Sequence, residues 1–257
     1  MALKYSDGAR SFLAADGSLK DMFQNGKIEI YTGAQPATAN AAVTGTLLCT
    51  ITDAAGARTA EVLSTGSVTL TGGAAGSVDT LTVNSVDILG GAVPFNTSLN
   101  QTAADVAAQC EARRSSTEYE VSAVGAIITI TARPGSGTAP NGFVVASTVT
   151  TITKTDANMA GGVAAVNGLK WGSASAGVIA KLASQTWSGV NAATGTAGYY
   201  RMYGSVADAG GLDSAGTTLR EDGAIATTGA ELNMASTTLT ATATTTITAW
   251  QRTIPTA

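Results

Sequence analysis

Residues 199–204 read YYRMYG and place three tyrosines in six positions of a chain in which only 5% of the residues are aromatic. Successive side chains of a β-strand point to opposite faces, so Tyr199, Arg201 and Tyr203 share one face and Tyr200 and Met202 share the other. Because an unpaired arginine is costly to bury, we expect the face with the methionine to be the core face. The stretch predicts one strand of a β-sandwich.

The chain around this stretch has the composition of a mainly β protein. It has 257 residues, of which 44% are hydrophobic, so it can form a packed core. Threonine, valine and isoleucine favour strands, and the 30 glycines suit turns. Only 12% of the residues are charged, about half the usual share. Low charge and small side chains are typical of a surface that packs against neighbouring molecules.

Several classes of function are disfavoured by what the sequence lacks. There is no histidine, which excludes histidine-dependent catalytic triads and histidine-bearing zinc sites. The glycine-rich stretches lack the lysine of a phosphate-binding loop, and no nucleophile elbow is present. The sequence LREDG, residues 219–223, is interpreted as a charged turn. We therefore expect no enzyme, no cofactor and no metal, and the net charge of −4 favours no nucleic-acid partner.

The two cysteines and the N-terminal sequence indicate where the protein is made. Cys49 lies in an apolar run and Cys110 in a predicted helix, so two free thiols from a reducing compartment are expected. The first residues, MALKYSDGARSFL, have no apolar signal-peptide core, and no run is long enough to cross a bilayer. These features predict synthesis in a cytosol and no membrane association.

The pattern of predicted helix and strands changes twice along the chain. Residues 65–162 contain the one long helical pattern, NQTAADVAAQCEARRSS, for which Thr102 is the predicted N-cap. The strand-like segments around it predict a β-β-α-β-β-β module, in which GFVVASTVTTITKT, residues 142–155, is a single strand. Residues 1–64 and 163–257 predict one mainly β host domain, a jelly-roll-like β-sandwich, with the α+β module inserted between two of its strands.

The host segments resemble a family of structural proteins from tailed-bacteriophage virions. The resemblance covers residues 1–62 and 163–257 and rests on four motifs in a fixed order. They are KIEIYTGAQPATANAAVTGTLLCTIT (27–52), GVIAKLASQTWSG (177–189), GTAGYYRMYGS (195–205) and the sequence from REDGAIATTGAELNM (220–234) onward. The insert separately resembles small modules of phage tail and head proteins, through LTVNSVDIL, TAADVAAQC and ITITARPGSGTAPNG.

This resemblance implies a capsid decoration or cement protein that binds the major capsid protein or other virion proteins, as a homo-oligomer. Its location would be the virion, assembled in the cytoplasm of the bacterial host. A tail or neck component is one alternative, and a receptor- or glycan-binding module is another. Tyr199, Arg201, Tyr203 and Trp187 are the candidate interaction residues, since their rings could stack on a sugar or a neighbouring subunit.

Overall fold

The computed structural model describes residues 3–253 and shows a mainly β protein. Strands take up 42% of the residues and helices 13%, which confirms the predicted fold class. The strands are β1 (Lys4–Tyr5), β2 (Lys27–Thr32), β3 (Leu47–Asp53), β4 (Thr65–Gly72), β5 (Ser77–Val83), β6 (Val86–Asp87), β7 (Val93–Pro94), β8 (Tyr119–Val124), β9 (Ile127–Ala132), β10 (Val145–Thr150), β11 (Thr153–Ala160), β12 (Val178–Ala180), β13 (Trp187–Val190), β14 (Gly195–Tyr203), β15 (Arg220–Ala226), β16 (Leu232–Asn233), β17 (Thr238–Leu239), β18 (Thr244–Ile247) and β19 (Gln251–Thr253). The helices are α1 (Asp7–Ser11), α2 (Leu19–Phe23), α3 (Leu99–Glu111) and α4 (Arg114–Thr117), and a π-helical turn spans Phe12–Asp16.

The chain divides into two compact units. Unit 1 takes the residues up to Glu61 and those from Ala165 onward, and unit 2 takes Val62–Ala164. The predicted insert, 65–162, starts three residues after unit 2 begins and stops two residues before it ends. The outermost residues of the predicted host domain, 1–2 and 254–257, lie outside the described part of the chain.

Unit 1 is built on one large sheet. Its strands follow the order β1-β15-β14-β2-β3-β13-β18, with β16 added beside β15 and β17 beside β14. All neighbours along this path are antiparallel. Residues 199–203 of the stretch YYRMYG form the end of β14, the third strand of the path. Strand β12 pairs with β19 in a separate two-stranded sheet. The arrangement is compatible with a β-sandwich, and the jelly-roll-like connection stays a prediction.

One face of this sheet forms the core of unit 1, and it carries the side chains that we expected there. Tyr200 and Met202 are buried and belong to the same apolar cluster as Ile28 and Ile30 of β2. Tyr200 lies opposite Gly223 of β15, where a Cβ atom would be 2.4 Å from the tyrosine ring. The glycine in β15 is therefore required by the ring that packs across it.

Local sequence explains the start of α2 and of α3, although the start of α3 was predicted wrongly. Ser18 caps α2 through a capping box with Asp21. For α3 the predicted cap, Thr102, is wrong, because the helix begins one turn earlier. Its N-cap is Ser98, whose side chain accepts a hydrogen bond from the amide of Gln101. Thr102 instead lies inside the first turn, buried, with its hydroxyl donating to the Ser98 carbonyl.

Unit 2 has two four-stranded sheets and its own core. One sheet has the order β10-β5-β6, with β7 also paired to β5, and the other has the order β11-β4-β9-β8. The apolar stripe of α3, which includes Val106 and Cys110, belongs to the same core as side chains from both sheets. Residues 142–155, predicted as one strand, contain two. The chain is interrupted at Thr151, where the backbone has a φ of 64° and leaves the extended conformation.

Removing the insert is expected to leave a folded unit 1. The chain enters and leaves unit 2 through Val62 and Val163, which exchange two backbone hydrogen bonds of 2.9 and 3.1 Å, so a short glycine linker can join them. Each unit also has a separate apolar core. Deleting residues 63–162 should therefore preserve cooperative thermal unfolding, measured by circular dichroism. Loss of all cooperativity in the shortened chain would contradict an independently folding unit 1.

Both cysteines are expected to be inert in the native protein. Cys49 and Cys110 are free and buried, and they belong to different units. Burial raises the pKa of Cys49 to about 11 and that of Cys110 to about 12, so the reactive thiolate is scarce near neutral pH. A disulfide reagent at about pH 8 should label neither thiol until denaturant is added. Rapid labelling of either cysteine in the folded chain would refute this.

Candidate functional site

The four residues predicted as an interaction surface are all inside unit 1. Tyr199, Arg201, Tyr203 and Trp187 each have 0% of their surface exposed. The prediction of an exposed face is therefore wrong. The tyrosine–arginine face of the sheet is buried because two loops, residues 33–46 and 204–219, cover it. These loops also supply hydrogen-bonding partners to its side chains.

Arg201 can be buried because it is fully paired. Its Nε and Nη2 atoms donate to the two carboxylate oxygens of Asp222 at 2.6 and 2.7 Å. Its Nη1 atom donates to the carbonyl of Ala41 at 2.9 Å. The interpretation of LREDG as a turn is wrong, because Asp222 lies within β15, directly opposite Arg201. Burial raises the pKa of the Asp222 carboxyl, and the hydrogen bonds from Arg201 oppose that rise.

A second buried pair fixes the loop that precedes β15. Arg220 donates to both carboxylate oxygens of Asp208, at 2.6 and 2.7 Å, and to the carbonyl of Gly211 at 2.7 Å. Two-point pairing of this kind gives an arginine a defined orientation. The arginines of β14 and β15 therefore hold covering loops in place and have little surface through which to meet another molecule.

The tyrosines of this face do the same for the loop at 33–46. The ring of Tyr199 stacks on that of Tyr31, with centroids 5.2 Å apart and an angle of 13° between the planes. Its hydroxyl donates to the carbonyl of Thr44 at 2.7 Å and accepts from the amide of the same residue at 2.9 Å. Tyr203 is next to Tyr31, with 3.4 Å between their hydroxyl oxygens. These rings are structural and are not a stacking platform for a sugar.

The core face of the sheet also contains a polar cluster, formed by Tyr200, Glu221 and Arg252. The hydroxyl of Tyr200 donates to one carboxylate oxygen of Glu221 at 2.8 Å. Nη2 of Arg252 in β19 donates to that same carboxylate oxygen and to the Tyr200 hydroxyl. Glu221 is buried, and desolvation raises the pKa of Tyr200 well above its ordinary value. The arrangement ties β19 to β15 through a charge pair.

The remaining predicted residue, Trp187, belongs to an aromatic cluster. Its ring packs edge-on against Trp171 and Trp250, with ring centroids 5.1 and 6.0 Å away. Its Nε1 atom donates a hydrogen bond to Oε1 of Gln185 at 3.0 Å. The side chain is thus held by packing on all sides and by a hydrogen bond at its polar end. It is a core residue of unit 1.

A cleft at the edge of the large sheet of unit 1 is open to another molecule. Two adjoining hollows, of about 550 and 430 Å³, share four lining residues: Leu232, Asn233, Thr248 and Ala249. The smaller hollow runs between β18 and the segment 232–240 and is lined mainly by threonine, serine and asparagine. The sequence signal for this cleft is the absence of charge, since residues 232–250 contain no charged side chain.

Within residues 3–253, no group of three or more histidine, cysteine or acidic side chains is arranged to hold a metal ion. In the same part of the chain, no helix has the length and apolar character needed to span a membrane. Comparisons with protein-family models, curated proteins and solved structures found no significant match.

Proposed function

We propose that this protein is a non-enzymatic structural component of a bacteriophage virion, and that it decorates the capsid by binding major capsid subunits. The observation that carries the proposal is the location of charge in unit 1. Arg201, Arg220, Glu221 and Asp222 are all buried, in a chain that already has few charges. The segment 232–250, which contains the edge strand β18, has no charged residue and is rich in threonine.

Such a surface suits permanent contact with neighbouring subunits. Charged residues are depleted at the centres of protein–protein interfaces, where their hydration would be lost. A homo-oligomer that contacts several capsid subunits at once gains avidity, so each single contact can be weak. The proposed partners are the major capsid protein, other virion proteins and further copies of this chain, and the proposed place of assembly is the host cytoplasm.

The alternatives differ in what supports them. A tail or neck component would use the same uncharged surface and differs only in its location on the particle. A receptor- or glycan-binding module was attributed to Tyr199, Tyr203 and Trp187, and these rings are buried. Sugar recognition would need a different platform, so we retain the virion component as the proposal.

Measuring the number of copies of the chain per purified phage particle tests the proposal. Quantitative mass spectrometry with labelled peptides should find on the order of hundreds of copies per particle, as expected for a symmetric capsid surface. A count of about a dozen, in a multiple of three or six, would favour the tail or neck. Particles that lack the chain, from cells that produce it, would contradict a virion role altogether.

A further inference from the structure

We propose that the cleft beside β18 binds an extended, uncharged segment of a neighbouring virion protein, which adds to the large sheet of unit 1 as a further strand. The proposal rests on the proposed function for the identity of the partner. The evidence for the binding mode comes from the edge of the sheet, the lining of the cleft and its charge.

The edge of the sheet at β18 is open. Among the described residues, β18 pairs with β13 alone, so its other side has backbone amides and carbonyls without a strand to bond them. Proteins protect such edges with charged side chains, prolines or bulges. Residues 244–247 have no charge and no proline, and their pairing with β13 runs through four consecutive residues without a register shift. An edge without charge, proline or bulge has main-chain groups to which a further strand can bond.

The lining of the cleft shows that this edge faces it. Six consecutive residues, 244–249, contribute to the smaller hollow. Side chains of a strand alternate between two faces, so a consecutive run lines one space through the edge of its backbone as well as its side chains. The segment 232–240 forms the opposite wall.

The absence of charge in the lining determines which kind of segment can bind. The smaller hollow has hydroxyl and amide side chains with apolar residues such as Leu239 and Ile247, and no charged residue. Lys181 and Glu231 line only the larger hollow. A charged side chain entering the smaller hollow would lose hydration without meeting an opposite charge. The complementary partner is an uncharged strand-forming segment, bound through main-chain hydrogen bonds.

A peptide-binding assay on the isolated full-length chain tests this inference. The probe is a dye-labelled, end-blocked heptapeptide of alternating threonine and valine, followed by fluorescence anisotropy. A second peptide has lysine in place of each valine. We expect the wild-type chain to bind the uncharged peptide and to reject the lysine peptide. The variant Thr246→Lys, at an exposed position of β18, should bind the uncharged peptide roughly tenfold or more weakly, because a charged edge resists strand addition.

The matched control is Thr155→Lys, an exposed threonine of β11 in unit 2, which should bind as the wild type does. If Thr246→Lys melts at a lower temperature than the wild type, the exposed lining residue Thr248 is changed to lysine instead. Absence of binding by the wild type up to roughly millimolar concentration, or equal binding by wild type and the β18-edge variant, would overturn the inference. Because the assay uses no particles, its outcome is independent of the copy count that tests the proposed function.

Discussion

Replacing Arg201 with alanine is expected to lower the free energy of unfolding by about 3–5 kcal/mol, the usual cost of removing one partner from a buried ion pair. The guanidinium and the carboxylate of Asp222 are both completely buried and joined by two hydrogen bonds. Without the arginine, Asp222 is left as a buried charge with its main partner gone. The covering loop also loses the hydrogen bond at the Ala41 carbonyl. Chemical denaturation monitored by circular dichroism measures the effect.

Two variants serve as controls for this result. Arg10→Ala removes a pair with Asp7 whose side chains are 72% and 61% exposed, and it should change stability by less than about 1 kcal/mol. The double variant Arg201→Met with Asp222→Leu removes both charges together, so it should recover much of the lost stability. A single variant at position 201 that unfolds like the wild type would show that the buried pair does not support unit 1.

Replacing Trp187 with alanine should destabilise the protein by a similar amount, about 3–5 kcal/mol, because it opens a large cavity in the core. The indole is fully buried between Trp171 and Trp250. Its loss also leaves Gln185 without the indole as a donor. Denaturation curves followed by circular dichroism, rather than tryptophan fluorescence, avoid the change in signal that the substitution causes.

The matched variant for this position is Trp187→Phe, which keeps an aromatic ring in the cluster and should cost clearly less than alanine. A glycan-binding role for the same side chain predicts the opposite result for Trp187→Ala. In that case Trp187→Ala would leave the melting temperature unchanged and abolish sugar binding, and the assignment of this residue to the core would be refuted.

The alternation of YYRMYG was sufficient to predict which side chains face the core of unit 1. Tyr200 and Met202 are buried there as expected. The other face was predicted wrongly because its burial depends on Asp222 and on loops distant in sequence. A local pattern shows that an arginine needs a partner but cannot show that one lies opposite it in β15.

The cap of α3 and the cleft show two further limits of local reasoning. Ser98 and Thr102 both have hydroxyls suited to capping, and the choice between them depends on how Leu99 and Thr102 pack in unit 2. The cleft forms between β18 and residues 232–240, and only the folded sheet brings these segments together. Composition predicted a surface low in charge, while the fold determined where on unit 1 the uncharged segment 232–250 lies.

Attachment through an uncharged surface is tested most directly by co-sedimentation of the purified chain with phage capsids that lack it. The bound fraction should be the same at about 0.1 M and about 1 M salt, although the Debye length falls from about 10 Å to about 3 Å over this range. Contacts made by threonine-rich edges and apolar residues are not weakened by such screening. Failure to bind the capsids, or release of the bound chain at the higher salt concentration, would contradict the proposed mode of attachment.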